Sequence, residues 1–375
     1  MGPAPLVSRH LGCQTRDGGN DGVEIRDRFV ALDGLRGVAA FGVLLYHLRL
    51  ILGTAGFFAH AYLAVDFFFL LSGFVLAHAY GERLTGLRAI PAFLRDRVIR
   101  LHPLIWPALV PSTALLILGM HFGKFTLVHP ALAVLVALVP FPAFWEGSRL
   151  KQQYALNGAT WSLFWELVAN LAFALIAPFL GTRRLAMLTV LLVGSSVAVS
   201  LTHGGLAQVE VTAPFRSLSC FFLGVLLLRA HRGNWIDLAG WGRFAMPVLI
   251  LCLALPAPSS EAAVLDPLLT FMVFPLVLLA AARWDARFVR TCAWLGALSY
   301  PLYVLQAPVI QSVRFLPILG IALPKFAQGA LALALCPPVA WLALKLFDEP
   351  VRAALRRRFG SRGHRTDLAE AVSSG

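Results

Sequence analysis

Residues 31–53 read ALDGLRGVAAFGVLLYHLRLILG, an almost unbroken apolar run that contains Asp33, Arg36 and His47 among few other polar residues. The hydrocarbon core of a bilayer is about 30 Å thick, and a helix of about 20 residues crosses it. The apolar residues do not alternate with polar ones, which excludes an outer-membrane β-barrel, whose strands need period-two alternation. The run therefore predicts a transmembrane α-helix.

The composition of the whole chain agrees with this interpretation. Of the 375 residues, 58% are apolar and 14% are charged, whereas about 25% of the residues of a typical soluble domain are charged. These values exclude a soluble enzyme, a disordered chain and a protein with a single membrane anchor. We predict an all-α polytopic membrane protein whose domain (29–350) lies between a flexible cytoplasmic N-terminal tail (1–28) and a basic cytoplasmic C-terminal tail (351–375). About ten transmembrane helices are expected, at 31–53, 61–80, 102–120, 161–181, 185–203, 214–230, 244–258, 264–282, 292–313 and 326–347.

One further apolar stretch, 130–144, is shorter than the others and contains Pro130, Pro140 and Pro142. If it crossed the membrane, the arginine clusters that follow it would lie outside, against the positive-inside rule. With 130–144 as a short re-entrant or interfacial segment, these clusters and both termini lie in the cytoplasm. Non-helical backbone within a bilayer is tolerated where protein or a water-filled cavity covers it, so we expect this segment to border a cavity.

The net charge and the cysteines indicate no additional partner. The formal charge is +13, from 32 basic and 19 acidic residues. The basic residues lie between apolar blocks and in the C-terminal tail, where the positive-inside rule explains them, and no nucleic-acid partner is predicted. The five cysteines are scattered, and no pair has the spacing of metal ligands. We therefore predict neither a metal site nor a disulfide framework.

Titratable residues inside the predicted spans are candidates for function, because they are costly in lipid. Arg36 and His47 are eleven residues apart, which places them on one helix face, about 16 Å apart along the axis. For His47, a hydrogen-bonded structural role and a functional role are both open. Asp66 is either a partner in a buried ion pair or a catalytic carboxylate. For Ser72, which precedes Gly73, close helix packing is favoured over a nucleophilic role.

Two further polar groups lie at predicted membrane boundaries. Arg97 and Arg100 are three residues apart on one helix face and are suited to grip phosphate through their forked donors, although the positive-inside rule also explains them. Ser162 can cap a helix that has Trp161 at the interface. Glu166 lies about one turn further into the membrane, where capping does not explain it.

Six segments, four of which carry these residues, follow one another along about 320 residues of the chain. They are LDGLRGVAAFGVLLYH (32–47), VDFFFLLSGF (65–74), RVIRLHP (97–103), TWSLFWE (160–166), LGALSYPLYVLQAP (295–308) and DEP (348–350). Together they resemble the acyltransferase family 3 membrane proteins, which are integral-membrane O-acyltransferases acting on bacterial glycans. The family's motif of arginine, ten residues and histidine falls on Arg36 and His47. Its Arg-x-x-Arg motif falls on Arg97 and Arg100, and its Trp-Ser-Leu-x-x-Glu motif on 161–166.

The resemblance implies transfer of an acyl group, usually acetyl, to a hydroxyl of a carbohydrate or glycolipid at the bacterial inner membrane. Acyl-CoA, usually acetyl-CoA, would be the donor substrate, and no permanently bound cofactor is implied. The implied catalytic residues are His47, Arg36, Asp66 and Glu166, and the implied substrate-binding residues are Asp33, Arg97, Arg100, Ser72, Trp161 and Ser162.

His47 is the predicted general base, because an imidazole titrates near neutral pH. Asp33 or Asp66 would orient its ring. Many family members have a histidine at the position of Gln306, so no role is predicted for that residue. A proton-coupled transporter or flippase, with the buried carboxylates and His47 as a proton relay, is the competing interpretation, and a structural partner of a glycan-synthesis complex is a third. No internal repeat is evident, which weakens the transporter interpretation.

The predicted topology can be tested with reporter fusions. Fusions after Arg184 and after Arg232 should both report a cytoplasmic location, because both residues belong to arginine-rich connections. A fusion after Lys124 is the matched control and should report the opposite side. An outside location at both arginines would contradict the topology.

Overall fold

In the computed structural model, the protein is a bundle of α-helices. The structure describes residues 29–359 except 54–55, 85, 125, 144–145, 147–152, 257–258 and 286, and this part of the chain contains helices and no β-strand. The all-α prediction is therefore confirmed. The predicted tail 1–28 lies outside the described residues. The α-helices are α1 (Val30–Leu52), α2 (Ala64–Tyr80), α3 (Ile90–Leu101), α4 (Ile105–His121), α5 (Pro130–Ala137), α6 (Thr160–Ile176), α7 (Thr182–His203), α8 (Val209–Arg232), α9 (Ala245–Ala254), α10 (Ala262–Ala282), α11 (Val289–Phe315) and α12 (Lys325–Phe359).

The number of spans differs from the prediction. Seven helices among the described residues are long and apolar enough to cross a bilayer, and α3 and α4, bent by 50° at their junction, give an eighth if they form one span. The predicted spans 161–181 and 244–258 correspond to shorter apolar helices, α6 and Gly240–Ala254. α6 begins at Thr160, close to the predicted start, and is shorter because it ends at Ile176, where a 3-10 turn (Ala177–Phe179) follows. The multi-pass fold is confirmed, whereas the count of about ten spans is not.

The segment 130–144 does not cross the bundle as a helix. Its helix α5 has eight residues and is about 12 Å long, well below the bilayer's hydrocarbon thickness of about 30 Å. The Glu146 carboxylate accepts hydrogen bonds from the backbone N–H groups of Val128 (2.6 Å) and His129 (2.7 Å), which fixes the start of α5. The prediction of a short non-crossing segment is confirmed.

The beginning of α1 and the ends of α2, α8 and α12 lie at one end of the bundle. Phe29, just before α1, packs edge-on against His78 of α2 and His231 of α8, with ring centroids 5.1 and 5.7 Å apart. Arg232 at the end of α8 donates to Glu82, just after α2 (3.0 Å). We call this the basic end and the other the opposite end. The arginines at the basic end include Arg97, Arg100, Arg232, Arg283, Arg352 and Arg356.

α1 and α11 form the most extensive helix pair of the described bundle. Their backbones lie so close that a Cβ atom on Gly37 would be 2.4 Å from the Cβ of Leu295. In the same way, a Cβ atom on Gly296 would be 2.6 Å from the Cβ of Asp33. Glycine permits this approach because it has no side chain, and any larger residue at either position would push the two helices apart.

α2 and α8 approach each other just as closely. A Cβ atom on Gly73 would lie 1.9 Å from the carbonyl oxygen of Phe221, and one on Gly224 would lie 2.1 Å from that of Leu70. The sequence prediction that Gly73 marks a close helix contact is confirmed.

A buried ion pair joins α2 and α8 toward the opposite end. Arg216 donates from Nε to Oδ1 of Asp66 (2.8 Å) and from Nη2 to Oδ2 (2.5 Å), and both side chains are almost completely buried. Nη1 of Arg216 also donates to the carbonyl oxygen of Leu206 (2.6 Å). The guanidinium lies 5.8 Å from the ring centroid of Tyr62 and 5.7 Å from that of Trp161. Protein groups therefore neutralise the charges of Asp66 and Arg216 and satisfy their hydrogen-bonding atoms, which is necessary where water is absent.

A second buried carboxylate, that of Asp266 on α10, completes this polar region. It accepts hydrogen bonds from the Tyr62 hydroxyl (2.5 Å) and from the backbone N–H of Leu206 (2.7 Å), and it contacts Nδ1 of His60 (2.8 Å). The polar groups of three helices and two connections are therefore tied together here.

Loss of one partner of the Asp66–Arg216 pair should destabilise the protein. Arg216→Met leaves the Asp66 carboxylate buried without its cation, and breaking a buried pair in this way typically costs about 3–5 kcal/mol. Replacing both residues, with Asp66→Leu added to Arg216→Met, should recover most of that loss. The measurement is the unfolding temperature of the purified protein in detergent, with Arg243→Met at an exposed arginine as control. An unchanged unfolding temperature for Arg216→Met would contradict the assigned role.

Candidate active site

A cavity of about 530 Å³ lies between α1, α2, α3, α6, α11 and α12, and it reaches the basic end. Its lining contains seven of the ten site residues predicted from the sequence, which are Asp33, Arg36, Ser72, Arg97, Arg100, Ser162 and Glu166. The other three, His47, Asp66 and Trp161, do not line it. The described residues of 130–144 do not line this cavity, and Ala133, Ala137 and Phe141 line instead a separate cavity of about 10 Å³.

Arg36 is held rigidly on the cavity wall by the contact between α1 and α11. Its Nη2 atom donates to Oδ1 of Asp33 (2.9 Å) and to the carbonyl oxygen of Gly296 (3.1 Å). Its Nε atom donates to the hydroxyl of Ser299 (3.0 Å), which in turn donates to the same carbonyl (2.7 Å). The close approach at Gly296 brings this carbonyl within reach of the guanidinium.

Arg97 and Arg100 lie on the cavity wall formed by α3. Arg97 donates to the hydroxyl of Tyr80 (3.1 Å), and its guanidinium lies 5.0 Å from the centroid of that ring. Arg100 lies within electrostatic range of Arg36 and Arg97. Arg36, Arg97 and Arg100 therefore all line one cavity. The positive-inside rule explains basic residues at this end of the bundle, but it does not explain why they meet at a cavity.

Hydroxyl and carboxyl groups form the part of the wall contributed by α2, α6 and α11. The Ser72 hydroxyl donates to Oε1 of Glu166 (2.7 Å). The hydroxyls of Ser162 and Tyr303 are 2.8 Å apart and share a hydrogen bond. The charges of Arg36, Arg97 and Arg100 act on Glu166 across the cavity. Glu166 has no basic residue near it along the chain, and the nearby positive charges come from α1 and α3 instead.

The charge of the cavity suits a polyanionic ligand. Its lining includes the guanidinium groups of four arginines and the carboxyl groups of two acidic residues. An arginine guanidinium presents a planar fork of donors that matches phosphate oxygens. Within the described residues, no group of three or more His, Cys, Asp or Glu side chains is placed to hold a metal ion.

His47 is on the same helix face as Arg36 but outside the cavity. Its half-buried ring lies beside Gln306 of α11, and its Nδ1 atom is buried. Phe68 and Tyr303, whose rings pack edge-on with centroids 5.6 Å apart, both line the cavity. Phe68 also packs against the apolar cluster that contains Leu44, one turn before His47. Phe68 therefore belongs both to the cavity wall and to the packing around this part of α1.

Two sequence hypotheses need correction. Asp33 and Asp66 do not orient the His47 ring, because Asp33 binds Arg36 and Asp66 binds Arg216. Of the two roles considered for Asp66, the described geometry places it in a buried ion pair. Trp161 is 7% exposed and packs edge-on against Phe69 with ring centroids 6.3 Å apart, so it contributes to packing rather than to the cavity wall.

Several residues at the cavity or beside it were not predicted as site residues. Arg216 is a charged residue inside a predicted span, a signal that was present in the sequence. Ser299, Tyr300 and Tyr303 lie in the segment 295–308, but a hydroxyl group within an apolar helix is too common to stand out. Arg356 lies in a run of arginines, and nothing in the sequence distinguishes it from its neighbours.

Comparisons with known proteins support the resemblance seen in the motifs. Residues 29–344 match the family model of acyltransferase family 3, described as an acyltransferase domain. The chain is 38% identical over 190 residues to "Protein 2 in picA locus" of Rhizobium radiobacter, an alignment that covers 46% of this chain and 93% of that protein.

A second relative aligns with most of this chain. "Putative peptidoglycan O-acetyltransferase YrhL" of Bacillus subtilis is 24% identical over 365 residues, which cover 88% of this chain and 56% of that protein. No solved structure matches the chain. Because the family model spans most of the sequence and the described fold is a multi-pass helical bundle, the chain belongs to acyltransferase family 3 and is a membrane acyltransferase.

Proposed function

We propose that the protein transfers an acyl group, acetyl in the simplest case, from cytoplasmic acyl-CoA to a hydroxyl of a carbohydrate or glycolipid in the bacterial inner membrane. The observation that carries this proposal is the cavity at the basic end, where four arginines and a hydroxyl-lined wall meet. The name of the Bacillus subtilis relative, which specifies peptidoglycan O-acetylation, supports a glycan acceptor.

The basic end is the cytoplasmic end in this proposal. Arginines concentrate there, in agreement with the positive-inside rule, and acyl-CoA is made in the cytoplasm. The phosphate groups of the donor would bind Arg97 and Arg100 at the cavity wall, through charge-assisted hydrogen bonds. The acyl-CoA is consumed as a substrate, and the reaction needs no bound cofactor.

His47 acts as the general base. It removes the proton of the acceptor hydroxyl while the hydroxyl oxygen attacks the carbonyl carbon of the thioester. The tetrahedral intermediate then expels the CoA thiolate, which takes the proton from His47. This order leaves the ester on the acceptor, a free CoA thiol and an unchanged histidine.

The separation of His47 from the cavity gives the two substrates different routes. The thioester enters from the basic end, and the acceptor reaches His47 from the other side of the Phe68–Tyr303 pair. Contact between the thioester and the base then requires Phe68 and Tyr303, which in this proposal lie between them, to move apart. Arg36, fixed by α11, marks the cavity side of this barrier.

Removal of the α3 arginines should weaken donor binding. Arg97→Ala and Arg100→Ala should each raise the KM for acetyl-CoA about tenfold or more, because hydrogen bonds to charged groups contribute about 1.5–3 kcal/mol. The measurement is the rate of thiol release from acetyl-CoA by the purified protein. Arg95→Ala is the matched control, since Arg95 is on the same helix but does not line the cavity. An unchanged KM in the double variant would rule out a donor role.

Replacement of His47 should abolish transfer without loss of the fold. A positioned general base contributes about 10²–10⁴-fold, so His47→Gln, which keeps hydrogen bonding but not basicity, should lose nearly all activity. His203→Gln, at an exposed histidine, is the control for expression and handling. If His47→Gln elutes as a monodisperse species and keeps more than about a tenth of the activity, the general-base role belongs elsewhere, with Glu166 on the cavity wall as the next candidate.

A further inference from the structure

The last helix continues well beyond the membrane span predicted for it. α12 runs to Phe359 as one helix with a π-helical turn at Leu344–Asp348. The predicted C-terminal tail 351–375 thus begins as helix. This final part of the helix, Glu349–Phe359, is rich in arginine and packs against α3 at the basic end.

A buried carboxylate anchors this part of the helix. Asp348 is completely buried, and it forms an ion pair with Arg352, one helical turn later. Asp348 also lies within electrostatic range of Arg100 on α3. Because side chains four residues apart share a helix face, the face that carries Arg352 is turned toward the cavity wall.

Arg356 is one further turn along the same face. It lines the cavity together with Arg97 and Arg100, whereas Arg357 and Arg358 do not. Arg358 lies instead over the ring of Phe359, with 5.4 Å between its guanidinium carbon and the ring centroid. Of the three consecutive arginines 356–358, the direction of the helix therefore places Arg356 on the cavity wall.

We infer that Arg356 is a phosphate-binding residue for the donor, the third arginine of a site that also contains Arg97 and Arg100. This inference rests on the proposed function. Coenzyme A carries a diphosphate and a ribose phosphate, so its charge exceeds what two guanidinium groups neutralise. Arg36 is already bound to α1 and α11, which leaves Arg356 as the remaining guanidinium on the cavity lining.

The test compares two arginines of the same helix that differ in position only. Arg356→Gln and Arg358→Gln remove the same charge, and Arg356→Lys keeps it. The dissociation constant of acetyl-CoA is measured by isothermal titration calorimetry, with the full chain in nanodiscs of phosphatidylcholine. Arg356→Gln should bind acetyl-CoA about five- to tenfold more weakly than Arg358→Gln, a factor below that of a buried charged hydrogen bond because Arg356 is exposed. Arg356→Lys should fall between the two.

A phosphate-free donor separates binding from folding. Cleavage of S-acetylpantetheine, which has the thioester but no phosphate group, should proceed at equal rates in Arg356→Gln and Arg358→Gln. A rate that falls only in Arg356→Gln would show that Arg356 supports the fold, and it would overturn the inference.

The remaining outcomes are also decisive. Equal acetyl-CoA binding by Arg356→Gln and Arg358→Gln would overturn the inference while leaving the proposed function intact. A difference that appears only in nanodiscs containing phosphatidylglycerol would assign Arg356 to lipid headgroups instead. If the wild-type protein does not bind acetyl-CoA at all, the proposed function itself fails.

Discussion

The close contact between α1 and α11 is the feature on which the candidate site depends. Glycines at positions 37 and 296 let the two backbones meet without intervening side chains. Arg36 can therefore bond to the carbonyl oxygen of Gly296 and to Ser299, and its guanidinium stays on the cavity wall in a region where lipid would make a mobile charge costly. The same contact aligns Tyr303 and Gln306 of α11 with the stretch of α1 that ends at His47.

Charged side chains in this bundle occur in two different environments, a buried ion pair and the wall of a cavity. The Asp66–Arg216 pair satisfies its charges internally, makes further hydrogen bonds to neighbouring groups and does not line the cavity, so it acts as a structural connection between α2 and α8. At the basic end, Arg97 and Arg100 instead face an open cavity with a surplus of positive charge. The first arrangement stabilises the bundle, and the second leaves positive charge on the wall of the cavity.

The sequence predicts the fold class and much of the site because both depend on local pattern. The apolar length of 31–53 fixes a membrane helix, and the spacing of Arg36 and His47 places them on one face. Partners from other helices are not encoded locally. Neither the pairing of Asp66 with Arg216 nor the hydrogen bond from Ser72 to Glu166 follows from spacing, since each joins residues far apart in the chain. The position of His47 outside the cavity depends on how the helices pack, and the direction of a helix face decides that Arg356 lines it.

Acyl transfer by this bundle can be distinguished from transport in nanodiscs, because nanodiscs cannot sustain a gradient. Purified protein in nanodiscs is mixed with radiolabelled acetyl-CoA and a bacterial glycolipid and glycan extract, and thiol release and base-labile label in the extract are both counted. We expect the two to appear in equal amounts. The enzyme assignment would be contradicted if neither thiol release nor base-labile label exceeded the level of empty nanodiscs. Substrate uptake driven by a proton gradient in proteoliposomes would then favour a transporter.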